Sequence, residues 1–186
     1  DNAGRCTTTG THNVVMGSGA LYVNATGARN TAIGTQALNQ NTASYNTASG
    51  FYSLNANTTG PYNAAFGGRA LQANTTGGQN TALGYDSLKC NTTASCNTAS
   101  GYQALWKNTT GASNTATGMR ALTTNTTGSE NVAVGERALC SNTTGGTNAA
   151  FGQQALAANT TGDKNIAIGK SAMLNNTTGA RNIAIG

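Results

Sequence analysis

Charge is scarce in this chain. Ten Lys and Arg and five Asp and Glu are spread over 186 residues, with one His, one Trp and one Pro. Each scarcity excludes something. Glycoside hydrolysis needs two facing carboxylates within about 10 Å of each other in a cleft. Here Asp1, Asp86, Glu130, Glu136 and Asp163 are strung along the sequence, and His12 has no carboxylate nearer in sequence than Asp1. An enzyme is therefore not expected. No apolar run approaches the roughly 20 residues of a membrane-spanning helix, so membrane insertion is not expected. Hydrophobic residues make up 37 %, with Ala the commonest, which excludes a thick Leu/Ile/Phe core. So little charge and Pro also argues against disorder. The net charge is +5, but the cations form no run and no aromatics interleave with them, so nucleic acid is not an expected partner.

Gly, Asn and Thr, by contrast, supply 82 of the 186 residues, and they are arranged in a repeat. Asn-Thr-Thr-Gly or a close variant starts at Asn57, Asn74, Asn91, Asn108, Asn125, Asn142, Asn159 and Asn176, always 17 residues apart. Earlier copies start at Thr7, Asn24 and Asn41, and the stretch Asn41-Thr-Ala-Ser-Tyr-Asn46 is one residue short. The consensus is N-T-T-G-x-x-N-T-A-x-G-x-x-A-L-x-x in eleven copies, numbered below as motif positions 1 to 17. All sixteen Asp, Glu, Lys, Arg and His side chains fall at positions 5, 6, 12, 13, 16 or 17. Charge is thus confined to three short zones, as at the outward corners of a solenoid.

A 17-residue period is too short for paired-helix repeats, and Thr, Gly and Asn are poor helix formers. N-T-A-x-G reads as a short strand closed by a Gly free to take positive φ. The expected fold is all-β: a single parallel β-solenoid domain, residues 1–186, of eleven 17-residue coils without separate caps. At about 4.8 Å per coil the rod would be roughly 53 Å long. Leu at position 15 and Ala at position 9 are expected to stack as a thin interior. Positions 8 and 10 lie on the opposite side of the pleat. If position 9 faces in, Met16, Ile33, Phe66, Leu83, Val134, Phe151, Ile168 and Ile185 form an exposed apolar strip that packs laterally on another copy. If the pleat is reversed, they are core.

The chain begins without Met, as a processed chain or a fragment would. Gly186 sits at position 11 and Asp1 at position 12, so a whole number of coils is present. Gly186 stacked on the next Asp1 would continue the motif in register. This predicts head-to-tail polymerisation through exposed edge groups, unless the chain is a window of a longer array.

Asn131-Val-Ala-Val-Gly135, Asn165-Ile-Ala-Ile-Gly169 and Asn182-Ile-Ala-Ile-Gly186 resemble the repeat of trimeric autotransporter adhesin heads. Asn80-Thr-Ala-Leu-Gly84 with Tyr85-Asp-Ser-Leu88 is similar to repeats that precede an endosialidase-type chaperone domain in phage tail fibres and bacterial surface proteins. The resemblance implies a parallel β-roll, often trimeric, on a cell or virion surface. The adhesin repeat is shorter than 17 residues, and no chaperone domain lies within these residues.

Four cysteines suit an oxidising exterior but lack metal-ligand spacing. Cys90 and Cys96 flank one corner and are candidates for a disulfide. Cys6 and Cys140 stand eight coils apart, beyond bridging distance in one rod, and are free or paired between chains. Asn24, Asn57, Asn74, Asn91, Asn108, Asn125, Asn142, Asn159 and Asn176 each begin an N-x-T sequon. They form either a glycosylated column or an inward ladder bonded to the neighbouring coils. Calcium-binding β-rolls need Asp at fixed positions where this motif has Asn and Thr, so neither a metal nor any other cofactor is expected. Trp106, Tyr62, Tyr85 and Tyr102 should decorate separate corners, where they could meet surface glycans. These features together point to a structural subunit or shaft of an extracellular fibre. The alternatives are an ice-binding solenoid using Thr at positions 2, 3 and 8, and a glycan-binding adhesin or tail-fibre segment.

Overall fold

The structure, a computed structural model, describes residues 2–186. It is all-β, with one three-residue strand per coil: β1 (Val14–Met16), β2 (Thr31–Ile33), β3 (Thr47–Ser49), β4 (Ala64–Phe66), β5 (Thr81–Leu83), β6 (Thr98–Ser100), β7 (Thr115–Thr117), β8 (Val132–Val134), β9 (Ala149–Phe151), β10 (Ile166–Ile168) and β11 (Ile183–Ile185). The eleven strands form one parallel sheet in chain order. Each strand pairs with the next without slippage, as in Ala64↔Thr81, Ala65↔Ala82 and Phe66↔Leu83. This is the β-solenoid that the period implies.

The pleat has the orientation that leaves positions 8 and 10 outside. Ala32, Ala48, Ala65, Ala82, Ala99, Ala116, Ala133, Ala150 and Ala167 at position 9 are fully buried. They face the nine fully buried leucines of position 15, from Leu21 to Leu156. Each of these leucines contributes roughly 1.5–3 kcal/mol by leaving water. Position 14 (Ala, or Ser53 and Ser87) is buried as well. Two adjacent residues can both face inward here because the chain at this point is not an alternating strand.

The rest of the coil is irregular yet just as tightly tied to its neighbours. Leu71 N donates to Ser87 O, Ala73 N to Lys89 O, and Arg69 N back to Phe51 O in the preceding coil. Position 13 takes φ of 55–71° in every non-Gly case, and position 15 takes φ of 46–52° in every non-Gly case. Position 6 does likewise at 56–63°. The left-handed region costs a residue with a Cβ about 1–2 kcal/mol. Stacking holds it in place, since these residues donate their N–H to a carbonyl of an adjacent coil along nearly the whole rod, as Leu105 does to Ala121 O and Glu130 to Ala112 O.

Position 11 is different in kind. Its φ lies between 122° and 144°, and a Cβ on Gly118 would sit 2.6 Å from the carbonyl oxygen of Gly135. Only Gly fits there, and all eleven coils have it.

Candidate functional site

Two asparagine ladders run through the interior. At position 1, from Asn57 to Asn176, each side-chain amide donates to the carbonyl of position 4 in its own coil and to the Oδ1 of the Asn one coil earlier. Asn108 does so with Gly111 O at 2.9 Å and Asn91 Oδ1 at 2.9 Å. At position 7, Oδ1 accepts the backbone N–H of the next Asn, as from Asn114 N to Asn97 Oδ1 at 2.9 Å. Of the nine sequon residues, eight (Asn24 to Asn159) are fully buried, and Asn176 is half-buried in the last coil. A glycan would have to be attached to an Nδ2 that already donates within the core, so N-glycosylation of the folded coils is excluded at the eight buried positions. The inward ladder is what the structure contains.

The short coil shows which residue was lost. Asn41 Nδ2 donates to Ala43 O, which makes Ala43 the position-4 residue. Thr42 donates N–H and Oγ1 to Thr58 O, at 2.9 Å each, as position-2 threonines do elsewhere. The missing residue is therefore position 3, an exposed Thr in every other coil. The pairing of β2 with β3 and of β3 with β4 stays in register. The position-7 ladder also continues, through Asn46 N to Asn30 Oδ1 at 2.9 Å. The position-1 ladder does not, and Asn24 Oδ1 is left buried without a donor.

On the outer face of the sheet, Met16, Ile33, Phe66, Leu83, Phe151, Ile168 and Ile185 are exposed, up to 76 % for Ile185. Val134 is half-buried. The strip is strongest toward both ends and is interrupted by Thr47/Ser49, Thr98/Ser100 and Thr115/Thr117 on β3, β6 and β7. Of the end-to-end pair, Asp1 lies outside the described residues. Gly186 N donates to Ile168 O at 2.9 Å, in register with the sheet.

All four cysteines are free thiols. The expected Cys90–Cys96 bridge is absent. The two residues stand on separate columns, positions 17 and 6, and the buried Asn91 and Ala94 turn inward between them. Cys96 Sγ donates to Gln79 Oε1 at 3.2 Å. Burial pushes the Cys90 thiol above its ordinary pKa, partly offset by Lys89. Cys6 is exposed and Cys140 half-buried.

Of the four aromatics expected at separate corners, Tyr85 and Tyr102 converge, while Tyr62 and Trp106 stand on other columns. Tyr45 and Tyr62 stack at 5.1 Å on position 6, and Tyr85 and Tyr102 stack at 6.2 Å on position 12. Arg29 lies 5.3 Å from the ring of Tyr45 and Arg69 lies 4.7 Å from that of Tyr85. Residues 17 apart become neighbours once the coils stack, and the spacing of Tyr85 and Tyr102 in the sequence is the signal that would have found them. The same step joins Arg69 to Asp86 at 2.9 Å, with Lys89 4.0 Å from the same carboxylate. Asp86 is thus a nearly buried acid, 3 % exposed, at a corner position read as outward.

A shallow groove of about 220 Å³ crosses the corner formed by positions 13, 16 and 17, where Gln103, Trp106, Lys107, Arg120, Arg137 and Cys140 meet. Among the described residues, no three His, Cys, Asp or Glu side chains gather as metal ligands do. No protein-family profile, curated protein or solved structure matches the chain.

Proposed function

We propose that this chain is a shaft segment of an extracellular fibre, a rod whose work is mechanical. The observation that supports this reading best is the uniformity of the stacking. Each interior coil donates to and accepts from both neighbours at the same motif positions along the whole rod. A further coil in the same register, from this chain or another, would continue both asparagine ladders and the sheet. The exposed apolar strip supplies a lateral surface for a second copy. Location outside the cell follows from the resemblance to adhesin-head and tail-fibre repeats.

Electron microscopy of the native material tests this. Continuous fibres with a meridional spacing near about 4.8 Å are the expected result. Discrete short rods at high protein concentration would overturn end-to-end stacking.

The ice-binding alternative has less to stand on. An ice plane needs a flat, regular array. Position-2 threonines spend their hydroxyls on neighbouring carbonyls, as Thr126 Oγ1 does on Thr143 O at 3.0 Å. The position-8 column is broken by Val, Ala and Ile, and Phe66 and Phe151 project from the same face. Only position 3 presents a column of exposed threonines. Thermal hysteresis in a concentrated solution would revive this reading.

A further inference from the structure

Along the position-13 column, residues one coil apart touch. Arg69 reaches Asp86 at 2.9 Å, and Arg120 Nε donates to Gln103 Oε1 at 3.2 Å. The next step on that column sets Arg120 beside Arg137. Both are exposed, and neither is in an ion pair among the described residues. The lattice that joins opposite charges at one place therefore puts two arginines on neighbouring coils of one column at another, both lining the same groove.

These two arginines line the shallow groove together with Lys107, Trp106 and Gln103, and no acidic side chain lines it. Lys107 Nζ lies 5.6 Å from the centre of the Trp106 ring. The indole Nε1 is closed off from solvent and has no acceptor. The groove thus combines three unneutralised cations and one large aromatic ring.

We propose that this groove binds an acidic polysaccharide, a chain of sugars bearing carboxylate or sulfate groups. Paired guanidinium groups hold such oxyanions through parallel N–H···O bonds, which a lysine point charge cannot reproduce. An anionic group between Arg120 and Arg137 relieves their mutual repulsion. Trp106 gives a sugar ring an apolar surface, and Gln103 adds an amide for hydroxyl groups. The groove covers three successive coils, about 10 Å from first to third, and is open enough for a chain to lie along the rod. Single-stranded nucleic acid fits less well, because one isolated aromatic offers no platform for successive bases. The proposal is independent of the shaft reading: a rod that never joined another would keep the groove, and a fibre could form without it.

The test uses substitutions already present on the same columns. Position 13 is Gln in Gln36 and Gln154, and position 16 is Gln in Gln72, so R120Q/R137Q and W106Q should stack normally, which unchanged thermal unfolding would show. The control K164Q/R181Q removes the same charge from position 6. Calorimetry at about 0.15 M salt against a heparin-class sulfated polysaccharide, polygalacturonate and neutral dextran reads affinity. Binding of either acidic chain without dextran is the expected result, and the preferred one identifies sulfate or carboxylate as the recognised group. R120Q/R137Q should weaken it about tenfold or more, W106Q several-fold, and the control hardly at all. Equal loss in the control would reveal diffuse cationic attraction and overturn the proposal. So would absence of binding to both acidic chains, or equally tight binding of a single-stranded oligonucleotide.

Discussion

The strand corner (positions 7–11) and the opposite wall (positions 12–17) are bonded to neighbouring coils in the same manner but built differently. The strand corner is a pleated segment with alternating burial, as in Thr31-Ala32-Ile33. The wall places residues with Cβ atoms in the left-handed region at positions 13 and 15 and buries two neighbours, such as Ala104 and Leu105, in succession. What the two share is an intercoil bond at every second residue or so. The difference teaches that stacking, rather than regular strand geometry, defines this fold. Local conformations that would be unfavourable alone are imposed by the carbonyls above and below.

The sharpest way to break the strand corner is Gly118→Ala. It combines φ of +130° with a Cβ 2.6 Å from the backbone oxygen of Gly135. A loss of about 4 kcal/mol or more is expected, read from urea or thermal unfolding. A loss under about 1 kcal/mol would mean that the stacked coils yield easily.

Next come the two sides of the interior. Leu122→Ala should cost about 2–5 kcal/mol through the cavity it leaves. Asn125→Ala should cost about 2–3 kcal/mol, because it strands the buried Oδ1 of Asn108 and the carbonyl of Gly128, to which Asn125 donates at 2.8 Å each. If the Asn change proved nearly neutral, the ladder would be an accompaniment of stacking rather than part of what holds it.

A pair of glycine substitutions sharpens the contrast by sign. Gln154→Gly in the wall removes a Cβ from a residue at φ 60° and is expected to raise stability by about 0.5 kcal/mol after the entropy of the more flexible unfolded chain. Thr115→Gly in β7 should lower it by about 1 kcal/mol. Like signs in thermal unfolding would contradict the difference drawn between the two regions.

The smallest effect is expected for Thr127→Ala, within about 0.5 kcal/mol. Thr127 is exposed at position 3, the position one coil lacks altogether. A larger loss would show that the position-3 column has a structural part not visible in its contacts.

Much of this architecture was legible because a repeat makes each position a statistical sample of its own environment. The exclusion of charge from positions 1–4, 7–11, 14 and 15 located the inner and stacked segments, and the Ala at position 9 offered the inward side of the pleat that burial then selected. The left-handed residues were not legible. Position 13 carries Gln, Tyr, Arg, Asp and Ser, with only Asn2 and Gly19 to hint at positive φ. The groove was also illegible as a site. Trp106, Arg120 and Arg137 lie 31 residues apart from first to last and come together only when the three coils that carry them are stacked.

By itself, then, the sequence determined the period, the solenoid and one strand position in the coil. These follow from the polarity and Gly content of each motif position, which are local. The structure decided that this is the only strand per coil among the described residues and which side of it turns inward. Only the tertiary structure decided that the sequon asparagines are buried, that Cys90 and Cys96 stay apart, and that Arg69 has an acid beside it where Arg120 has another arginine. Those outcomes depend on which side chains meet one coil away, and that is set by the direction each corner residue takes once its N–H is bound to the neighbouring coil.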